Sequence, residues 1–285
     1  MNVFFHIGLV KTGSTFIQSA VLDKVGDELC VIRPTSGLTN AAAFRGSNGI
    51  LISNENLAGN PISQLNNNEA LFDEFRRCID TSIAFFNSPK IIMGFRAPEK
   101  FVNSLYKQYL QERGTKKWDE FLSCYQSRIG DLDFSRFIYY LRERFCESDL
   151  FLYSQEELRR STPDVTNSLK AFIGVAAGPK GLDIGVTEVN RSLPERYEPV
   201  IRFLNRQSWR LHKVSGRHLG FRIGGLGINP AWICCRLLPQ VFGRGNAERD
   251  LSPLERRYAK SWKCAREEIR GNMQFHLNKA SRYGY

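Results

Sequence analysis

The chain has 285 residues, 42% of them hydrophobic and 24% charged, and a formal net charge of +11. That describes an ordinary soluble protein of one large domain or two small ones, long enough for a substantial core. No apolar run reaches the length of a membrane span, and the N-terminus enters the first strand with no secretory leader pattern, so a cytoplasmic location is expected.

Short apolar runs bounded by turn residues predict strands at 2–7, 29–33, 49–53, 90–95 and 149–154. Several are apolar throughout rather than alternating, as parallel strands covered on both faces are. Helices are predicted between them. Residues 69–87 place Leu71, Phe72, Phe75, Ile79, Ile83 and Phe86 on one stripe. Residues 98–113 open with Pro98 in a favoured first-turn position. Residues 134–146 group Phe134, Phe137, Ile138, Leu141 and Phe145, and residues 163–174 group Val165, Leu169 and Phe172. A further helix is predicted at 193–206. The alternation of strand and helix predicts an α/β fold, P-loop-like and three-layered, with a central parallel sheet. Beyond it, the glycine-rich stretch 214–228 reads as a loop or lid. The apolar stretch 229–242 reads as a short helix packed on the core. Residues 252–282 read as a long charged terminal helix beginning at Ser252 and Pro253.

Seven cysteines show no metal-ligand spacing; their number is odd and Cys234–Cys235 is a vicinal pair. All are expected to be reduced thiols, mostly small and buried. The four histidines (His6, His212, His218 and His276) add no zinc motif. The positive charge is uneven. Residues 190–285 hold 19 Lys and Arg against 7 Asp and Glu, so all the excess lies there. A basic face attracts anions: a nucleotide, an acidic glycan or a membrane surface. No nucleic-acid motif accompanies it.

The most informative run is Phe4–Gln18, FFHIGLVKTGSTFIQ. A strand meets a short glycine loop, then hydroxyl residues, then a helix. Backbone N–H groups and the helix dipole make such a junction an anion site. A Walker A loop would carry its lysine just after the second glycine. Here that position is Ser14, and the lysine is Lys11, inside the loop. A second junction is IIMGFRAPEKFVNSLY, residues 91–106. Its strand ends in Arg96 where a metal-binding acid would stand in a kinase, and Ser104 follows eight residues later. An arginine there is suited to gripping a phosphate directly. A third junction, ILISNENLAG at 50–59, delivers Glu55 to the carboxyl edge of the sheet, where ligands bind in this architecture.

Lys11, Thr12, Gly13, Ser14 and Thr15 resemble the 5′-phosphosulfate loop of sulfotransferases that use 3′-phosphoadenosine 5′-phosphosulfate (PAPS). Arg96 and Ser104 resemble that family's 3′-phosphate grip, and the likeness covers roughly residues 1–200. The resemblance implies transfer of a sulfuryl group from PAPS to an acceptor hydroxyl or amine, of a glycan or glycolipid type, leaving 3′-phosphoadenosine 5′-phosphate (PAP). It implies that Lys11 and the backbone of Gly13 to Phe16 hold the phosphosulfate, with no metal required. Glu55 would be the general base, with His6 as its competitor. Arg191 and Ser192, in the run VNRSLP, would close over the nucleotide. The whole chain is then one domain. Residues 1–206 form its nucleotide-binding core, and the basic segment 207–285 faces the acceptor or acts as a lid. A P-loop small-molecule kinase and a non-catalytic nucleotide-binding interaction protein are the alternatives.

Overall fold

The computed structural model describes residues 2–9, 12, 14–20, 29–32, 49–58, 70–84, 86, 88–129, 132–174, 193–215, 221–223, 226–228, 230, 233–242 and 249–283. The fold is α/β. Five parallel strands form one sheet: β1 (Asn2–Gly8), β2 (Leu29–Ile32), β3 (Gly49–Ser53), β4 (Lys90–Phe95) and β5 (Leu150–Ser154). Their spatial order is β2-β3-β1-β4-β5. The last five residues of β1 and β4 and all of β5 are buried, so helices cover both faces of the sheet. This is the P-loop-like, layered arrangement expected from the alternating pattern.

The order matters for function. From β1 the chain turns towards β2 and β3, whereas β4 leads away to β5. The carboxyl ends of β1 and β4 therefore flank a topological switch point, the crevice where open α/β sheets bind ligands.

Helices lie between and after the strands, four of them in the stretches predicted at 69–87, 98–113, 134–146 and 163–174, whereas those at 118–129 and 155–160 were not predicted. They are α1 (Ser14–Ala20), α2 (Leu71–Ile83), α3 (Pro98–Gln111), α4 (Trp118–Ile129), α5 (Phe134–Arg142), α6 (Gln155–Arg160), α7 (Thr162–Ile173) and α8 (Glu198–Ser215). Phe72 and Phe75 of α2 pack on Phe137 of α5, with ring centroids 5.1 and 4.9 Å apart. Asp133 caps α5 by accepting from the Ser135 N–H, and Gly174 ends α7 in the left-handed conformation (φ 77°) that favours glycine.

The terminal helix, Ser252–Tyr283, lies against β5, α5 and α7. Its buried Asn272 does what a neighbouring strand would do. The side-chain oxygen accepts from Leu152 N at 2.7 Å and the amide donates to Leu150 O at 2.8 Å. Two backbone groups of edge strand β5 are thereby paired.

Four details differ from the sequence reading. The helix predicted at 193–206 is a short 3-10 turn, Glu195–Tyr197, followed by α8, which runs on to Ser215. Tertiary anchoring extends it: Asn205 donates to Leu110 O and Gly114 O, and Trp209 donates to Arg113 O. The stretch read as a loop or lid contains an antiparallel hairpin, β6 (Phe221–Ile223) paired with β7 (Leu226–Ile228). The seven cysteines are free thiols, yet only Cys234 is buried; Cys124, Cys146 and Cys264 are exposed. The short helix read within 229–242 is a π turn, Ile233–Leu237, continued by α-helix Leu238–Phe242. Among the described residues no helix is long and apolar enough to cross a membrane.

Candidate active site at the β1–β4 switch point

Strand register aligns Gly8 with Gly94 and Gly94 with Tyr153, so three neighbouring strands present these residues side by side at the carboxyl edge. The two glycines leave a trough. Thr12, wholly buried, sits in it and donates its hydroxyl to Leu9 O at 2.7 Å. A Cβ on Gly8 would stand 2.7 Å from Ser14 Oγ and 2.9 Å from Thr12 Oγ1; one on Gly94 would stand 2.8 Å from Thr12 Oγ1. Glycine at both positions is therefore a steric requirement for seating the loop hydroxyls against the sheet. Phe16, on α1, packs partly buried against the core.

A buried polar network runs beside the trough. His6, 1% exposed, has its Nδ1 2.8 Å from Ser53 Oγ on β3 and its Nε2 3.2 Å from the Tyr153 hydroxyl on β5. Gln18 of α1 donates to the same Ser53 oxygen at 2.9 Å. Three strands and the first helix are thus tied together by hydrogen bonds in a dry environment, where each is strong and a broken one is costly. Both ring nitrogens of His6 are engaged, as in a structural hydrogen-bonding residue. Backbone bonds position the third junction: Asn54 N donates to His6 O at 3.0 Å, and Glu55 opens the 3-10 turn Glu55–Ala58 beside β1.

Arg96 follows the last residue of β4, as the sequence indicated. Burial is the main cause that lowers its pKa from the ordinary arginine value to about 10; Glu156 pulls the other way, and Arg159 adds to the lowering. A guanidinium held in such poor solvation is improved by an anion. Glu156, just past the end of β5, points its carboxylate at Ala97 N (3.3 Å to both oxygens), the entry to α3. Ser104 lies half-buried two turns along α3. On either side of it, Asn103 and Lys107 are held by Glu195 at 3.2 and 3.3 Å. Arg249 bonds Asn103 and pairs with Glu198 at 2.6 Å. The chain after Arg191 and Ser192 is therefore fastened to the helix that carries Ser104.

Thr12 and Ser14 are thus brought together with Gly8 and Gly94, while Arg96 marks the neighbouring strand end. Lys11, Gly13, Arg191 and Ser192 lie outside the described residues, as do the side chains of Thr15 and Glu55. Sequence reasoning missed Ser53, Tyr153, Gln18 and Glu156. Only Glu156 had a signal: an acid two residues past the Ser154 N-cap, at the same edge as Arg96.

Similarity to known proteins is confined to solved structures. No family model matches the chain, and no curated protein matches it. Solved sulfotransferases are what it resembles. A sulfotransferase from Alicyclobacillus acidocaldarius shares 18% identity at a TM-score of 0.45, covering 77% of this chain and 97% of that one. Mouse sulfotransferase SULT7A1, solved in complex with PAP, shares 13% identity at a TM-score of 0.41, covering 62% of this chain and 59% of that one.

Proposed function

We propose that this chain is a sulfotransferase moving a sulfuryl group from PAPS to a hydroxyl or amine of an acceptor, a glycan or glycolipid. One observation carries the reading. At a single switch point, a glycine-and-hydroxyl loop with its lysine inside adjoins a strand that ends in Arg96 rather than in a metal-binding acid. That donor set is built for anionic oxygens: loop backbone and hydroxyls on one side, a poorly solvated guanidinium on the other. Gly8 and Gly94, where a Cβ would collide with Thr12 and Ser14 or with Thr12 and Tyr153, support the reading by seating the loop hydroxyls at the sheet edge.

In this reading the bound donor supplies an activated sulfuryl group, and the protein positions and stabilises. Lys11 and the backbone N–H groups of Gly13 to Phe16 hold the 5′-phosphosulfate. Lys11 then neutralises charge on the phosphate oxygen as its bond to sulfur breaks. Glu55 takes the acceptor proton as the acceptor oxygen or nitrogen bonds to sulfur from the opposite side. Arg96 and Ser104 fix the 3′-phosphate, and Arg191 with Ser192 closes over it. The engagement of both His6 nitrogens supports Glu55 as the base. Transfer of labelled sulfate from PAPS to glycan or glycolipid acceptors tests the reading. Transfer of phosphate from ATP instead would overturn it.

A further inference from the structure

We propose that the outer face of α8 docks on an anionic lipid surface, which would hold the protein at a membrane. This inference stands on α8 itself and does not depend on the reaction assigned above.

Helix α8 has 18 residues and three distinct faces. One is buried against α3 through Ile201, Asn205 and Ser208. The opposite side should be polar in an ordinary surface helix, and it is not. Val214 is 89% exposed and Phe203 58% exposed, and Val200 and Leu211 join them among the exposed large hydrophobics. At ~100° per residue these four fall within one sector of about 80°. The adjoining sector carries Arg206, Arg210 and Lys213, all exposed, with Arg202 at its inner border. The helix has one acid, Glu198, and that is buried in its pair with Arg249.

An apolar strip bordered by a band of cations and free of exposed acid is the pattern of a helix lying in a bilayer interface. The apolar side chains enter the acyl boundary and the cations meet anionic headgroups. A protein partner is less well matched, because a one-signed band gives a folded partner no charge alternation to read. The fold leaves the face available: α8 buries one flank on α3, and the turn and helix after it, 233–242, expose Leu237 and Val241 besides.

The test is co-sedimentation of the full chain with vesicles. Binding to phosphatidylcholine mixed with phosphatidylserine, weakened by salt and absent with phosphatidylcholine alone, is the expected result. Phe203→Asp with Val214→Asp should abolish it, and Arg206→Glu with Arg210→Glu should weaken it by roughly tenfold or more. These side chains are exposed, so thermal unfolding of both variants should match the parent. No binding to the anionic vesicles overturns the proposal, as does equal binding by parent and variants. Concentration-dependent dimers lost in the Phe203→Asp, Val214→Asp protein, without vesicle binding, would assign the face to a second copy and overturn it too.

Discussion

The Tyr153 hydroxyl on β5 meets Nε2 of His6 on β1, 3.2 Å away across the intervening strand, because β4 has no side chain at Gly94. A Cβ there would stand 2.6 Å from that hydroxyl and 2.8 Å from Thr12 Oγ1. One missing side chain thus permits both the polar network and the seating of Thr12 against the sheet. Gly94→Ala should destabilise the protein by about 1–3 kcal/mol, the cost of overpacking a tight core. It should also weaken nucleotide binding. Urea unfolding and calorimetric titration with PAP check the two effects, and a neutral substitution would contradict the packing described.

Tyr153→Phe keeps the ring and removes the hydroxyl, leaving a buried imidazole nitrogen without that partner. The expected cost is about 1–3 kcal/mol. Ser53→Ala should cost a similar amount, since Gln18 and His6 share its oxygen. Because the two changes meet at one imidazole, their effects should be non-additive in a double-mutant cycle. Simple additivity would show that the network does not act as a unit.

Acid should loosen the join between α6 and the terminal helix. Burial alone would raise the Glu157 pKa, but hydrogen bonds and charge from Arg270 and Arg266 outweigh it and hold the group below its ordinary 4.5. The ionised form is therefore favoured by folding. Its contribution is present above the ordinary value and is lost as pH falls through the lowered one. Glu157→Gln should be less stable than the parent at neutral pH, with the gap closing in acid. A gap unchanged down to the lowest pH of the unfolding series would contradict the pairing.

The loop and the strand-end arginine should separate kinetically. Lys11→Ala should lower turnover by roughly a hundred- to a thousandfold, as removal of one charge-stabilising donor does elsewhere, with little change in donor affinity. Arg96→Ala should chiefly weaken donor binding, and Arg96→Lys should restore it poorly because the bidentate fork is lost. Equal, small effects from both alanine variants on turnover and affinity would remove the roles assigned to them.

What the sequence made legible follows from what is local. The strands announced themselves as short apolar runs, the helices α2, α5 and α7 by their stripes, and α3 by the proline at its start. Thr12, Ser14 and Arg96 could be placed at the ends of β1 and β4 because a strand, its turn and the next helix are written in consecutive residues. The Gln18–Ser53–His6–Tyr153 network was not legible. It depends on register between strands whose residues lie 47 and 147 positions apart, and no single-sequence signal fixes register. The same limit hid the continuation of α8, which is held by Asn205 and Trp209 reaching backbone carbonyls of Leu110, Arg113 and Gly114. The β6–β7 hairpin was missed because glycines that permit tight turns also read as loop. The exposed cysteines were misread because thiol burial is an average habit, not a property of the position.

The central claim is that the β1–β4 crevice takes a nucleotide through its own cations. Thermal unfolding in PAP without metal, compared with ATP and Mg²⁺, tests it most directly. At about a hundred times its dissociation constant PAP should stabilise the fold by roughly 2.7 kcal/mol, and Arg96→Ala should erase the shift. Stabilisation by ATP with Mg²⁺ and none by PAP would contradict the account.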